Sequence, residues 1–153
     1  MMKRYTMGIV ALTLMLAMTM LAGCGSKEAA PLNTETIKSR LLDKKWTCQK
    51  MVEREVRSET KPYIEFKADG TVVGNGGCND FHGQYTLDGE DISFGPLAST
   101  RKACMGALGE LEFSFHTLLS KVDRLQVEES ELLLFISNNP IPMVFTVDDG
   151  GLW

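Results

Sequence analysis

Residues 62–76 read PYIEFKADGTVVGNG, and this stretch decides the fold class. Ile64 and Phe66 alternate with the polar Glu65 and Lys67, Asp69-Gly70 supplies a turn, and Thr71-Val72-Val73 runs back. Asp-Gly between two runs of period two marks a β-hairpin. The same grammar extends in both directions. Upstream, WTCQKMVE (residues 46–53) reads as a first strand with Trp46, Cys48 and Lys50 on one face. Downstream, Phe81, Gly83, Tyr85 and Leu87 alternate up to a second turn at Asp88-Gly89, and Ile92 and Phe94 begin the return.

Between Ala103 and Ser120 the period changes. Leu108, Leu111, Phe115, Leu118 and Val122 fall on one helical face. Gly106 and Gly109 weaken its start, so the helix is expected from about Glu110. Three more strands follow, VDRLQVEE, ELLLFIS and PMVFTVDD, divided by turns at Glu129-Ser130 and Asn138-Asn139-Pro140. Before the first strand, Asn33 or Thr34 caps a short helix with Ile37, Leu41 and Leu42 at helical spacing and Glu35 in its first turn.

About eight short strands joined by tight turns, with one helical insertion and a short N-terminal helix, give a mainly β (α+β) class. The expected architecture is a small antiparallel up-and-down barrel, because closure removes unpaired edges. Ile64, Phe66, Val73, Tyr85, Ile92, Leu134 and Phe145 are the expected interior. A barrel of this size is filled by side chains or holds one small ligand.

The N-terminus carries an address. Lys3 and Arg4 precede the uncharged run MGIVALTLMLAMTML (residues 7–21), and Leu21-Ala22-Gly23-Cys24 follows. A basic start, an apolar stretch and small residues before a cut site describe a secretory signal, and the run is shorter than the ~20 residues of a membrane-spanning helix. Leu-Ala-Gly-Cys resembles the bacterial lipobox, in which the cysteine is lipidated and becomes the first mature residue. Residues 1–23 are therefore expected to be removed, 24–32 to form a lipidated tether from Cys24, and 33–153 to form one domain. Gly25 stands where an inner-membrane retention signal would usually place Asp, which implies the outer membrane, facing the periplasm, in a cell with two membranes.

Losing residues 1–23 takes away Lys3 and Arg4 and moves the net charge from −4 to −6. An acidic surface argues against nucleic acid. The one dense basic group, Lys38, Arg40, Lys44 and Lys45, is interleaved with Asp43 and reads as a solvated helix face. The expected partners are the membrane, through the lipid, and envelope proteins; the domain itself is expected to be a monomer.

The stretch GNGGCNDFHGQY (residues 74–85) raises the question of chemistry. It is no phosphate loop, since Gly77 is followed by Cys78 and not by Gly-Lys-Ser/Thr. Cys78 and His82, with Cys104 and His116, offer a metal reading, but their spacing lacks the tight ligand pairs of structural zinc sites. Cys78 beside His82 also offers a thiol enzyme, with no third group in view to orient the histidine. The structural account is a turn or bulge: the glycines permit positive φ, and Asn79 bonds the turn's own amides. In an exported domain Cys78 and Cys104 form the natural disulfide, stabilising by roughly 3–4 kcal/mol on the chain-entropy estimate. Cys48 is then a buried thiol, with a bridge from Cys48 to either partner as the competing assignment.

The run from Phe66 to Cys104, with Asp69-Gly70, Gly74, Gly77-Cys78-Asn79, Phe81, Gly83-Gln84-Tyr85 and Ser99-Thr100-Arg101 before Cys104, resembles the META domain of HslJ-like bacterial heat-shock lipoproteins. The resemblance spans about residues 38–147, including Trp46, the helix around Phe113 and Phe115, and the Leu132–Phe135 strand. It implies a small barrel-like fold in the cell envelope, with some members linked to heat shock and antibiotic tolerance. It carries over no catalytic residue, cofactor or metal. Asn79, Thr100 and Arg101 are signature residues, expected to serve turn and barrel-closure hydrogen bonding in preference to ligand contact. Cys48 departs from the pattern. The function expected is that of a non-enzymatic, membrane-anchored structural or binding module. A carrier of a small apolar ligand in the barrel mouth is the alternative, and an enzyme using Cys78 and His82 is a weaker one.

Overall fold

The computed structural model describes residues 32–147. The signal segment 1–23, Cys24 and all of the tether but Leu32 lie outside the described residues. Among the described residues two helices, α1 (Thr34–Leu41) and α2 (Ala107–Leu119), accompany ten strands. These are β1 (Trp46–Met51), β2 (Arg54–Glu55), β3 (Tyr63–Phe66), β4 (Thr71–Asn75), β5 (Asp80–Asp88), β6 (Asp91–Phe94), β7 (Ala98–Ser99), β8 (Val122–Val127), β9 (Glu131–Ile136) and β10 (Asn139–Val147).

Eight of them form a closed antiparallel barrel in the order β1-β3-β4-β5-β6-β8-β9-β10, with β10 returning to β1. The closing register runs Trp46↔Val147, Thr47↔Thr146 and Cys48↔Phe145. β2 and β7 are two-residue additions on β1 and β5, too short to carry a periodic signal. The Asp69-Gly70 turn forms as the sequence predicts. Lys67 N–H donates to Thr71 O at 2.8 Å, and Asp69 Oδ1 accepts from Thr71 N–H at 2.9 Å.

Ile64, Phe66, Tyr85, Ile92, Leu134 and Phe145 point inward and are buried. Val73 does not. Phe66 pairs with Val72 across the hairpin, so Val72 takes the inward face and Val73 the outer one. A second difference lies in β1. The register shifts between Cys48 and Lys50, and this bulge hands the inward place to Met51 and leaves Lys50 at the surface boundary.

The two ends of the barrel are covered. At one end, α1 inserts the fully buried Ile37 and Leu41. Asn33 caps it, its Oδ1 accepting from Thr36 N–H at 2.8 Å. Trp46 Nε1 donates to Leu41 O at 2.9 Å, and Gly89 N–H donates to Thr34 Oγ1 at 2.8 Å. The basic group beside α1 is taken up locally: Lys38 pairs with Glu35, Arg40 with Glu128, and Lys45 stands over the Tyr63 ring.

At the other end, α2 presents Phe115, whose ring centroid is 6.0 Å from Phe81 and 6.3 Å from Phe145. The helix begins at Ala107, a turn earlier than the glycines suggest. Gly109 permits this, because a Cβ there would fall 2.5 Å from the Cys104 carbonyl oxygen that packs on the first turn. Val122 belongs not to the helical face but to β8; Leu119 takes the buried position instead. β6 meets β8 through the register pair Asp91↔Arg124, and Leu125 N–H donates to Glu90 O at 2.8 Å beside it. Side chains fill the interior, as expected of an eight-stranded barrel.

Phe115→Ala is expected to lower unfolding stability by about 3–5 kcal/mol, measured by urea denaturation. Phe113→Ala, on the exposed side of the same helix, is expected to stay within about 0.5 kcal/mol.

Candidate functional site

The glycine-rich turn between β4 and β5 is where the signature residues meet. Gly77 adopts φ +114°, a conformation open to glycine and strained for other residues. Its N–H donates to Asn75 Oδ1 at 2.8 Å, and Gly76 N–H donates to Asn79 O at 2.9 Å. Asn75 Nδ2 donates to Asp80 Oδ1 at 2.7 Å, and this bond, with nearby Lys102, holds the Asp80 carboxyl below its ordinary range. The turn thereby presents Cys78 and Asn79 to the rest of the fold. Cys78 is disulfide-bonded to Cys104, their Cα atoms 6.3 Å apart, while Cys48 is free and buried. Burial pushes the Cys48 thiol up to about 12, so it stays protonated.

Asn79 is the hub. Its side chain is buried among three chain segments and uses both of its polar atoms. Oδ1 accepts from Thr100 Oγ1 at 2.8 Å and from Lys102 N–H at 2.7 Å. Nδ2 donates to Glu112 Oε1 at 3.0 Å and to Lys102 O at 3.3 Å. Its backbone N–H donates to Glu112 Oε2 at 3.0 Å. One residue therefore ties the β4–β5 turn to the segment 100–104 and to α2. Thr100 adds reciprocal bonds with Asp80 through its Oγ1 and its N–H. Arg101 is exposed and makes no hydrogen bond or ion pair with the described residues.

Glu112 is the functional neighbour that reading the sequence missed. Its only signal is a carboxylate beside Leu111 and one turn before His116, on a helix face that is otherwise apolar. His82 is elsewhere: it sits exposed on the outer face of β5, paired in register with Val73 and Ala98. Cys78 and His82 therefore form no nucleophile–base pair, and the sulfur such an enzyme would use is bonded to Cys104. His116 lies half-buried against Phe81 and Phe115, with ring centroids at 5.1 and 5.7 Å. Burial holds its imidazole below the ordinary value of 6.5, partly opposed by Glu112. α1 and α2 stand at the two barrel mouths, each contributing buried side chains to the interior. A groove of about 460 Å³ lies outside the barrel, between the β1–β2 hairpin and α2, lined by Met51, Arg54, Val56, Leu108, Leu111 and Ser114.

Two outcomes follow from this geometry. Asn79→Ala leaves Glu112 Oε1 and the Lys102 amide without partners and is expected to cost about 2–3 kcal/mol, read from the shift in urea midpoint. For His116, the folded state resists the proton that the unfolded chain accepts. Stability is therefore full above about pH 6.5 and is lost as the pH falls below it. His116→Gln is expected to flatten that acid limb in denaturation midpoints collected between pH 5 and 8.

A family model for the META domain matches residues 39–148. Among solved structures, the chain resembles the NMR structure of a protein from Burkholderia xenovorans, with 25% identity and a TM-score of 0.62 over 83% of this chain and 97% of that one. The crystal structure of a DUF4847 family protein from Bacteroides vulgatus shares the fold at 15% identity, with a TM-score of 0.54 over 72% of this chain and 96% of that one. No curated protein matches the chain. With the disulfide, the Asn79 junction and the closed barrel inside the matched span, the chain belongs to the META-domain family.

Proposed function

We propose that this protein is a membrane-anchored, non-enzymatic META-domain module of the bacterial cell envelope, held by a lipid on Cys24 and serving a structural or binding role in envelope or heat stress. The observation that carries the reading is the Asn79 junction. The polar signature groups with partners, Asn79 and Thr100, spend their hydrogen bonds on Glu112, Lys102 and Asp80, and Cys78 spends its sulfur on Cys104. A site built for catalysis leaves a nucleophile or base free to face a substrate; here those groups join segments of the fold. The lipobox at residues 21–24 supports the anchor, and the disulfide suits an oxidising compartment. A multiply acylated cysteine, each buried methylene contributing about 0.8 kcal/mol, holds such a protein at the bilayer durably. The filled interior weighs against the carrier reading.

Cys24→Ala is expected to abolish incorporation of labelled palmitate and to move the protein from the membrane fraction to the soluble one. A Cys24→Ala protein that kept both its label and its membrane association would refute the anchor.

A further inference from the structure

Four side chains with metal-binding chemistry gather around the β4–β5 turn. The sulfurs of Cys78 and Cys104 and a carboxylate oxygen of Glu112 all lie within 4.8 Å of one another, each residue half-buried. Glu112 and His116 are one helical turn apart, and both lie against Gly76. A Cβ built there would meet Glu112 Cγ at 2.8 Å and His116 Nε2 at 2.9 Å. That Nε2 atom is buried and has no hydrogen-bond partner. In the oxidised protein the two sulfurs are used by each other.

We propose that reduction of the Cys78–Cys104 disulfide by a dithiol converts this junction into a zinc site, with Cys78, Cys104 and Glu112 as ligands and His116 the side chain that can complete it. The dithiol attacks one sulfur as its thiolate, forms a mixed disulfide and releases the other cysteine. Its second thiol then closes on the first, so that two electrons and two protons pass to the protein and the reagent leaves as a disulfide. Zinc then displaces the two thiol protons. The ligand chemistry selects the ion, since two thiolates suit zinc, whereas magnesium and calcium require oxygen ligands. The distances fit as well. Zinc–sulfur bonds of about 2.3 Å at a tetrahedral ion set the two sulfurs about 3.8 Å apart, within reach of Cα atoms 6.3 Å apart. The ion would tie together the β4–β5 turn, the segment around Cys104 and α2, the same three segments that the disulfide and Asn79 now join. This inference stands whether or not the chain is lipid-anchored, because it rests on the junction alone.

The test uses the full-length chain in detergent, reduced with a phosphine that does not bind zinc and then freed of it. Titration with zinc against a chromophoric chelator is expected to give one ion per reduced chain and none per oxidised chain. Cobalt in place of zinc is expected to show sulfur-to-metal charge-transfer absorption. Bound zinc is expected to protect Cys78 and Cys104 from alkylation, with peptide mapping giving the positions. Glu112→Gln is expected to weaken binding by at least about tenfold, the lower end of what loss of even an outer partner of a zinc ligand brings. Cys48→Ala is expected to bind as the parent does. No zinc bound by the reduced parent chain, or zinc that leaves Cys78 and Cys104 open to alkylation, overturns the proposal. Both readouts use the unaltered sequence, so a variant that fails to fold does not blunt the test.

Discussion

The pairing of the first barrel strand with the last holds the molecule together. Trp46 meets Val147 and Cys48 meets Phe145, and with that ladder the sheet has no free edge along its eight main strands. Gln49 Nε2 adds a bond to Thr146 Oγ1 at 2.9 Å across the same junction. Everything else in the fold presupposes this closure. The interior side chains have a common centre only because the sheet curls fully round, and α1 and α2 have ends to cover only because a ring exists. The contacts that make it join residues about a hundred positions apart, so loop entropy is spent before the reward arrives.

The two ends of the ring are secured by different physics. At the α1 end apolar insertion dominates, with Ile37, Leu41 and the Trp46 indole packed out of water and a single capping asparagine setting the helix start. At the α2 end Phe115 does the apolar part, but the surrounding segments are irregular, and irregular backbone needs partners for its amides. Asn79 and Glu112 provide them, and the disulfide limits how far the segment before α2 can move in the unfolded chain. The residues that look chemical in the sequence are thus concentrated where regular hydrogen bonding runs out. That explains why a cysteine, an asparagine, a threonine and a glutamate converge without forming a nucleophile–base pair.

Much of this was legible in the sequence, for reasons that name its limits. The eight main strands, the Asp-Gly turn at residues 69–70 and a helix cap at Asn33 or Thr34, which the fold resolves to Asn33, follow from local period and turn chemistry. Inward positions that depend on parity were less secure. The bulge in β1 exchanged Lys50 for Met51, and the three-residue loop Ala68-Asp69-Gly70 between Lys67 and Thr71 exchanged Val73 for Val72. Neither shift leaves a mark in composition. β2 and β7 are too short for any period. Glu112 was invisible because its importance comes from a partner 33 positions away, and its own neighbours describe only an amphipathic helix. His82 and His116 show the converse. Sequence distance made His82 the natural companion of Cys78, while strand alternation sent it to the outer face and the helix carried His116 inward.

The buried Cys48 has a consequence for how the chain matures. Among the described residues there are three cysteines, Cys48, Cys78 and Cys104, and any two of them can be joined by an oxidant. The native pair has the shortest separation of the three, 26 residues, which gives it the advantage in random encounter. Cys48 is a competitor in any chain whose core has not formed, because its sulfur is withdrawn from water only in the folded barrel, where Cys48 pairs with Phe145. A chain oxidised before the core forms can be trapped with the wrong crosslink, with Phe145 unable to dock. Correct pairing of the thiols therefore depends on a formed core keeping Cys48 out of an oxidant's reach.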